Sequence, residues 1–178
     1  MPVIETYAPN PVNPSLNEAP TIFLAGPIQG APDWQSKATE LIRHNAGLSP
    51  LDVVIANPRR PVLDSEDFNY SEQVEWEKTH LRRAAEHGVI IFWYAQQDPG
   101  EPYEEGRPYA KTTFGEINRV AGWLDYNSQI NVVVGIEPGF DGLSRRYTEE
   151  LLLEKSIPQR TTLEQVAEAA VRITTSLG

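Results

Sequence analysis

The chain has 178 residues with a formal net charge of −10 at neutral pH, 40% hydrophobic residues, four Trp and no Cys. This size and composition indicate one folded domain, and the lack of cysteine excludes disulfides, cysteine-based zinc sites and thiol catalysis. The acidic balance argues against nucleic acid or an anionic membrane surface as a partner, because both bind basic faces.

The sequence shows no targeting segment and no metal-binding pattern. No basic-then-apolar segment opens the chain, and no apolar run approaches the roughly 20 residues that span a membrane, so we expect a cytoplasmic protein. The three histidines, His44, His80 and His87, lack the HxxxH and HExxH spacings of metal ligands and lie in polar helical patterns. We therefore expect solvated surface histidines and no metal site.

The first third of the chain predicts an arm, a strand, a turn and a helix. Residues 1–20 carry five prolines and little apolar periodicity, which predicts an extended arm instead of packed secondary structure. The apolar run 21–26 is typical of a buried parallel strand, and the glycine-rich turn 26–30 ends it. A helix is predicted from Trp34, beside that turn, to about Asn45.

The middle of the chain continues this alternation. A second strand at 53–56 ends in a polar cluster with two prolines, and a helix is predicted from about Ser71 to His87. The run 89–94 is entirely β-branched or aromatic, which indicates a central strand. It leads into the polar loop 95–111, whose length favours a functional role over a bare connection.

The last third predicts a helix to about Leu124, a strand at 130–135, a helix at 144–155, a weak strand near Ile157 and a final helix capped by Thr162. Strands that alternate with helices predict a three-layer α/β domain with a parallel sheet of four to five strands. Ligands bind such sheets at the carboxyl ends of the strands, so we expect the loops that follow the strands to form the site.

Glu116 is the first candidate for chemistry. It follows the long loop and opens an apolar helical pattern, so we expect it in the first turn, where the helix dipole favours the ionised carboxylate of a nucleophile or general base. The spacing from Thr113 to Glu116 is also that of a capping box, in which the glutamate only bonds to the cap residue's amide. These residues alone leave both interpretations open, and capping is the commoner one.

Glu77 is the second carboxylate of interest, because its helix begins at the same edge of the predicted sheet. Paired carboxylates, one ionised and one protonated or orienting, suit chemistry at an acetal-like carbon. Alternatively, Glu77 caps its helix or pairs with Arg82 or Arg83. The spacing does not separate these interpretations.

The other polar and aromatic candidates are less specific. The turn 26–30 lacks the GxGxxG and P-loop patterns, but its glycines would let backbone approach a small ligand. Arg59 and Arg60 would either clamp an anion or pair internally. Aromatic side chains at strand ends either stack on a base or belong to the core; they are Phe23, Trp34 and Tyr94.

Read together, the motifs resemble the nucleoside 2-deoxyribosyltransferase family, particularly its shorter, divergent branch. In chain order they are residues 22–28, Trp34, 57–60, 73–77, 91–93, 112–116, 134–140 and 145–147. No single motif is specific, but their order and spacing are. The resemblance covers about residues 21–178 and leaves only the arm at 1–20 outside.

The resemblance implies a flavodoxin-like fold and base exchange on 2'-deoxynucleosides without cofactor or metal. Glu116 would attack the anomeric carbon and expel the base through an oxocarbenium-like transition state, leaving a covalent deoxyribosyl ester that a second base resolves. Glu77 would orient the nucleophile or hold a sugar hydroxyl. The implied partners are a deoxynucleoside, a free nucleobase and further copies of the chain, in a homo-oligomer whose neighbouring subunits complete the sugar pocket.

The resemblance also implies a set of substrate-binding residues by position: Phe23, Gly26, Pro27, Ile28, Trp34, Asn57, Asp64 and Thr113. Better-known family members place aspartates shortly before the nucleophile and on the preceding helix. Those neighbourhoods here hold Tyr109 and Thr112, and Glu77 or His80, so no residue is assigned to protonate the leaving base.

Two alternatives remain. A hydrolase of the same superfamily would cleave nucleoside 5'-monophosphates and would need a phosphate nest at the glycine turn. Pro27 offers no amide there and Ile28-Gln29 no hydroxyl, which favours nucleosides over nucleotides. A non-catalytic nucleoside-binding module, with Glu116 only a capping residue, is the alternative of another class.

Overall fold

A computed structural model of the protein describes residues 3–10, 18–46, 52–61, 69–101, 103, 106–142 and 145–177. Within these ranges the strands are β1 (Val3–Tyr7), β2 (Thr21–Ala25), β3 (Val53–Asn57), β4 (Gly88–Tyr94), β5 (Val132–Ile136) and β6 (Gln159–Arg160). The helices are α1 (Trp34–Ala46), α2 (Tyr70–His87), α3 (Lys111–Leu124), α4 (Arg145–Glu154) and α5 (Leu163–Ser176). None of these helices is both long enough and apolar enough to cross a membrane.

The described strands form one parallel sheet in the order β1-β3-β2-β4-β5-β6. The order of β2 to β6 is that of a flavodoxin-like fold, which confirms the predicted class, with six strands where four to five were predicted. From the central pair β2 and β4, the strand order runs outward to β3 on one side and to β5 on the other. The switch point of the fold therefore lies between the carboxyl ends of β2 and β4.

The core lies on both faces of the two central strands. Every residue of β2 and β4 is buried, as their continuous apolar sequences predict for strands covered on both sides. Phe23 of β2 packs on Trp76 of α2, with ring centroids 6.5 Å apart. Trp93 of β4 lies on the opposite face, where it and Val166 of α5 surround Gly135.

The expectation that residues 1–20 lack packed secondary structure is wrong for residues 3–7. They form β1, which pairs in parallel with β3 along its whole length. The Glu5 carboxylate anchors this strand, because it accepts hydrogen bonds from Asn57 Nδ2 at 2.9 Å, Thr39 Oγ1 at 3.1 Å and Arg43 Nη2 at 2.9 Å. Pairing with β3 stabilises a segment too short to show its own periodicity.

Candidate active site

The segments that follow β2, β3, β4 and β5 meet at one edge of the sheet, as predicted. The backbone amide of Asp98, after β4, donates to the carbonyl of Gly30, after β2, at 2.8 Å. The amide of Gln96 donates to the carboxylate of Glu137, after β5, at 2.7 Å. The switch point of the sheet is therefore surrounded by the loops named in the sequence analysis.

The glycine turn after β2 is held by Trp34. The indole Nε1 of Trp34 donates to the carbonyl of Pro27 at 2.8 Å, and the indole ring lies against Gly26. Ile28, the next residue of the turn, is half-buried. The structure thus brings Gly26, Pro27 and Trp34 together, whereas Phe23 is fully buried in the sheet beneath them.

The long loop after β4 lies against this turn. Arg107 donates from Nη1 to Gln29 Oε1 at 2.8 Å and from Nη2 to Thr112 Oγ1 at 3.3 Å. The ring of Tyr103 lies next to Gly30, and its hydroxyl donates to the Arg107 carbonyl at 2.7 Å. The described part of this loop therefore links the glycine turn to the first residues of α3.

The polar cluster after β3 is engaged within the protein. Asn57 is 2% exposed; its Nδ2 donates to Glu5, and its Oδ1 accepts the backbone amide of Arg59 at 2.9 Å. The Arg59 guanidinium donates to the Pro32 carbonyl and to Gln35 Oε1, both at 3.3 Å. Of the two roles considered for Arg59, the structure therefore shows internal pairing. Asp64, also named from the sequence, lies outside the described residues.

Helix α3 begins earlier than the sequence pattern suggested. Its N-cap is Ala110, in the left-handed conformation at φ 59°, and no side chain caps the helix. Glu116 is therefore the sixth helical residue, in the second turn. The predicted capping box does not form, because Thr113 lies inside the helix, where it is 1% exposed. The capping interpretation of Glu116 is wrong, and so is its placement in the first turn.

Glu77 on α2 is held by a residue that the sequence analysis missed. Its Oε1 accepts a hydrogen bond from Gln73 Nε2 at 2.8 Å, and Gln73 Oε1 accepts one from Arg60 Nε at 2.9 Å. Gln73 is 8% exposed and also donates to the Pro58 carbonyl, so its amide is fixed in orientation. The spacing of four residues between Gln73 and Glu77, which places both on one helix face, was the available signal.

The alternatives raised for Glu77 do not match its surroundings. Asn69 caps α2 by accepting the amides of Ser71 and Glu72. The Arg83 guanidinium donates from Nε to Thr21 Oγ1 at 2.7 Å and from Nη2 to the Ala19 carbonyl. Glu77 therefore is not a helix cap, and its described hydrogen-bond partner is the Gln73 amide.

The two carboxyl groups interact. Burial raises the pKa of Glu77, and the hydrogen bond from Gln73 opposes that rise. Burial raises the pKa of Glu116 to about 8; the charge of Glu77 adds to this rise, and Arg119 opposes it. A pKa raised to about 8 favours the protonated carboxyl group of Glu116 at neutral pH, whereas the sequence pattern favoured the ionised form. The dipole effect fades beyond the first helical turn, while burial and a like charge both favour the protonated acid.

Trp76 and His80 lie on α2 on either side of Glu77 in the sequence. The rings of Trp76 and His80 stack with centroids 4.0 Å apart, and Trp76 also contacts Phe23. His80 is 3% exposed, its Nδ1 lies 2.8 Å from the Trp76 carbonyl, and burial lowers its pKa. The expectation of a solvated His80 is wrong. Its ring packs on Trp76, the residue that precedes Glu77.

A separate groove of about 330 Å³ lies along α4. Its lining consists of Tyr147, Glu150, Leu151, Leu153 and Glu154. Neither member of the Glu77–Glu116 pair lines it. The groove therefore lacks the interacting carboxyl groups that make the sheet edge the better candidate for chemistry.

One comparison with known proteins agrees with the family resemblance of the sequence. No curated protein matches the chain. The family described as "Nucleoside 2-deoxyribosyltransferase like" matches residues 19–110, a little over half of the chain. The matched region runs from β2 to the residue before α3, so it includes the glycine turn and Glu77 and ends shortly before Glu116. The chain belongs to the nucleoside 2-deoxyribosyltransferase-like family.

Proposed function

We propose that this protein transfers 2-deoxyribose between nucleobases, with Glu116 as the nucleophile and Glu77 as its partner. The observation that carries the proposal is the interacting pair of half-buried carboxyl groups, contributed by α2 and α3. Membership of a nucleoside 2-deoxyribosyltransferase-like family supplies the substrate class. Paired carboxyl groups are the usual machinery for breaking a glycosidic bond.

The reaction consists of two displacements at the same carbon. The ionised Glu116 carboxylate attacks C1' of the deoxyribose; the C1'–N bond breaks, and its electron pair stays on the base nitrogen, which is then protonated. The product of this step is a deoxyribosyl ester of Glu116. A nitrogen of the second base attacks C1' and loses its proton to solvent, the ester C–O bond breaks, and the Glu116 carboxylate is regenerated. Two inversions retain the configuration at C1'.

The raised pKa values suit this chemistry. Positive charge develops on the sugar ring in an oxocarbenium-like transition state, and two nearby carboxylates stabilise it more than they stabilise the neutral substrate. Glu116 must lose its proton before it attacks, and its raised pKa makes the ionised form a stronger nucleophile once formed. We expect transfer to rise with pH toward the pKa of Glu116.

The glycine turn is the proposed base site. Gly26, Pro27 and Ile28 would face the base, with Trp34 fixing the turn through its bond to the Pro27 carbonyl. Asn57 and Phe23 would support this site structurally and not contact the base, since both are buried and packed within the protein. Contact of the base with Asp64, and of the substrate with Thr113, remain proposals from the family resemblance, as does closure of the sugar pocket by a second copy of the chain.

The proposal is tested by incubating purified protein with deoxyadenosine or thymidine, with and without a second free base, and separating the products by chromatography. A new deoxynucleoside that forms only with the acceptor base supports the transferase. Free base released regardless of acceptor would instead indicate a hydrolase, which the internal bonds of Arg59 and Arg60 disfavour for 5'-monophosphates. If the protein binds the substrate without turnover, and Glu116→Ala binds it with the same affinity, the protein is a binding module.

A further inference from the structure

Tyr94, the last residue of β4, carries a buried hydroxyl that the reaction described above does not use. The side chain is 0% exposed. Its hydroxyl and the hydroxyl of Thr148 on α4 are both buried without a hydrogen-bond partner in the described part of the chain. The two hydroxyls are neighbours, but their geometry is not that of a formed hydrogen bond. Unsatisfied buried hydroxyls are costly, so a pair of them calls for a physical reason.

The sheet register places Tyr94 on the same face as the carboxyl pair. Ile90 of β4 lies opposite Phe23 of β2, and Phe23 packs on α2, so Ile90, Phe92 and Tyr94 point toward the α2 face. The Tyr94 ring is fixed by Phe140, with centroids 5.1 Å apart. Its hydroxyl therefore points to the face of the sheet on which α2 carries Glu77.

Packing and charge both relate Tyr94 to Glu116. Helix α3 packs on α4 beside Thr148, because the rings of Phe114 and Tyr147 lie with centroids 5.5 Å apart. Burial raises the pKa of the Tyr94 phenol; the Thr148 hydroxyl opposes this rise, and the charge of Glu116 adds to it. The phenol therefore keeps its proton throughout the working range of pH and is a permanent hydrogen-bond donor. Among the described residues, the other charged groups that act on Glu116 are Glu77 from α2 and Arg119 from its own helix.

We propose that Tyr94 is a positioning residue for Glu116: its phenol, backed by Thr148, donates a hydrogen bond to the Glu116 carboxylate when that group ionises. A donor at this position favours the charged form of the carboxylate and leaves its second oxygen to face C1'. It also gives the unsatisfied Tyr94 hydroxyl an acceptor. The inference rests on the proposed function for its effect on transfer, but not for its effect on the ionisation of Glu116.

The first test titrates the Glu116 carboxyl carbon by NMR in protein labelled at glutamate, with the signal identified by its loss in Glu116→Gln. Tyr94→Phe should raise the apparent pKa of Glu116 by about one unit, because a hydrogen bond to a charged group is lost. The matched control is Tyr109→Phe, which removes another buried tyrosine hydroxyl, one that donates to the Ala95 carbonyl at 3.0 Å. The control should leave the titration unchanged, and an unchanged titration in Tyr94→Phe would overturn the proposal.

The second test compares pH profiles of transfer. Tyr94→Phe should move the rising limb of the profile to higher pH by about one unit. At neutral pH, kcat should therefore fall about tenfold with little change in KM. Coincident limbs in the wild type and Tyr94→Phe would also overturn the proposal. Absence of transfer by the wild type would instead defeat the proposed function, and the NMR titration would still decide the role of Tyr94.

A third variant keeps the test valid if Tyr94→Phe does not fold. Thr148→Val removes the hydroxyl behind Tyr94 and should shift the Glu116 titration in the same direction by a smaller amount, while Thr148→Ser should restore it. A merely structural Thr148 would lower stability in Thr148→Val without moving the titration, and that result would contradict the proposal.

Discussion

At the scale of single residues, Glu116 links ionisation to stability. Its pKa is raised to about 8 in the folded protein, mainly by burial, so its contribution to stability is complete below the ordinary glutamate pKa and is lost as pH rises through about 8. Glu116→Gln carries a neutral amide and does not suffer this loss. The wild type should therefore lose stability relative to Glu116→Gln between pH ~6 and pH ~9. The difference in unfolding free energy between the two proteins should change by about 2 kcal/mol in favour of Glu116→Gln.

Urea unfolding at the two pH values measures this difference. The control is Glu75→Gln, which alters an exposed glutamate on α2 and should show no such dependence. Parallel pH dependence in the wild type and Glu116→Gln would mean that Glu116 ionises normally in the folded protein.

Glu77 should set the pH at which Glu116 becomes active. Its charge is the second cause, after burial, of the raised pKa of Glu116. Glu77→Gln removes that charge, so the rising limb of the pH profile of kcat/KM should move to lower pH by roughly one unit. Glu75→Gln again serves as the control. A higher KM with an unmoved limb would show instead that Glu77 only holds the substrate.

The sequence identified these two carboxylates as a pair but not their ionisation. Both were named because their helices begin at the carboxyl edge of the sheet. The rule that ligands bind at the carboxyl ends of parallel strands is enough to predict this location. The raised pKa of Glu116 arises from burial and from the approach of α2 to α3, which only the packed fold determines. The role of Gln73 was missed because its amide is oriented by Arg60, which lies in the segment after β3, far from Gln73 in the sequence.

At the scale of elements, two glycines differ in the space around them. One lies in a tightly packed strand pair and the other at an open position of a helix. A Cβ on Gly88, at the start of β4, would lie 1.9 Å from the backbone oxygen of Thr21 on β2. Gly88→Ala should therefore disrupt the central strand pair and cost several kcal/mol. Gly122, within α3, has open space around it, so Gly122→Ala should instead stabilise the protein by about 0.5–1 kcal/mol.

Thermal unfolding of the two variants gives opposite shifts if β2 and β4 pack as described. Equal shifts, or a harmless Gly88→Ala, would contradict this pairing. The comparison is matched, since both substitutions add the same methyl group.

Elements were predictable where local pattern and packing agree. The run at β4 consists of apolar and aromatic residues and lies buried in the centre of the sheet, so its sequence alone identified it. Strand β1 was missed because its stability comes from the edge of β3 and from Glu5. The start of α3 was missed because the preceding loop places Ala110 in a left-handed conformation that no local pattern of residues indicates.

At the scale of the whole molecule, β1 joins the sheet edge to α1 through one carboxylate. Glu5 accepts hydrogen bonds from Asn57 and Thr39, each 2% exposed, and from Arg43. Glu5→Ala should lower the unfolding free energy by about 2–3 kcal/mol, because two buried donors lose their acceptor. Glu40→Ala, at an exposed position of α1, should change it by less than about 0.5 kcal/mol. Equal effects in urea unfolding would show that β1 does not need this anchor.

The central claim is that a parallel α/β fold presents Glu116 as a covalent nucleophile for deoxyribose. The most direct measurement is intact-protein mass spectrometry after rapid acid quenching of the protein with deoxyadenosine in the absence of an acceptor base, followed by peptide sequencing. We predict a mass increase of one deoxyribosyl group, located on Glu116, lost when an acceptor base is added and absent from Glu116→Gln. Transfer by the wild type with no adduct on Glu116, or transfer by Glu116→Gln at a near-normal rate, would contradict the account.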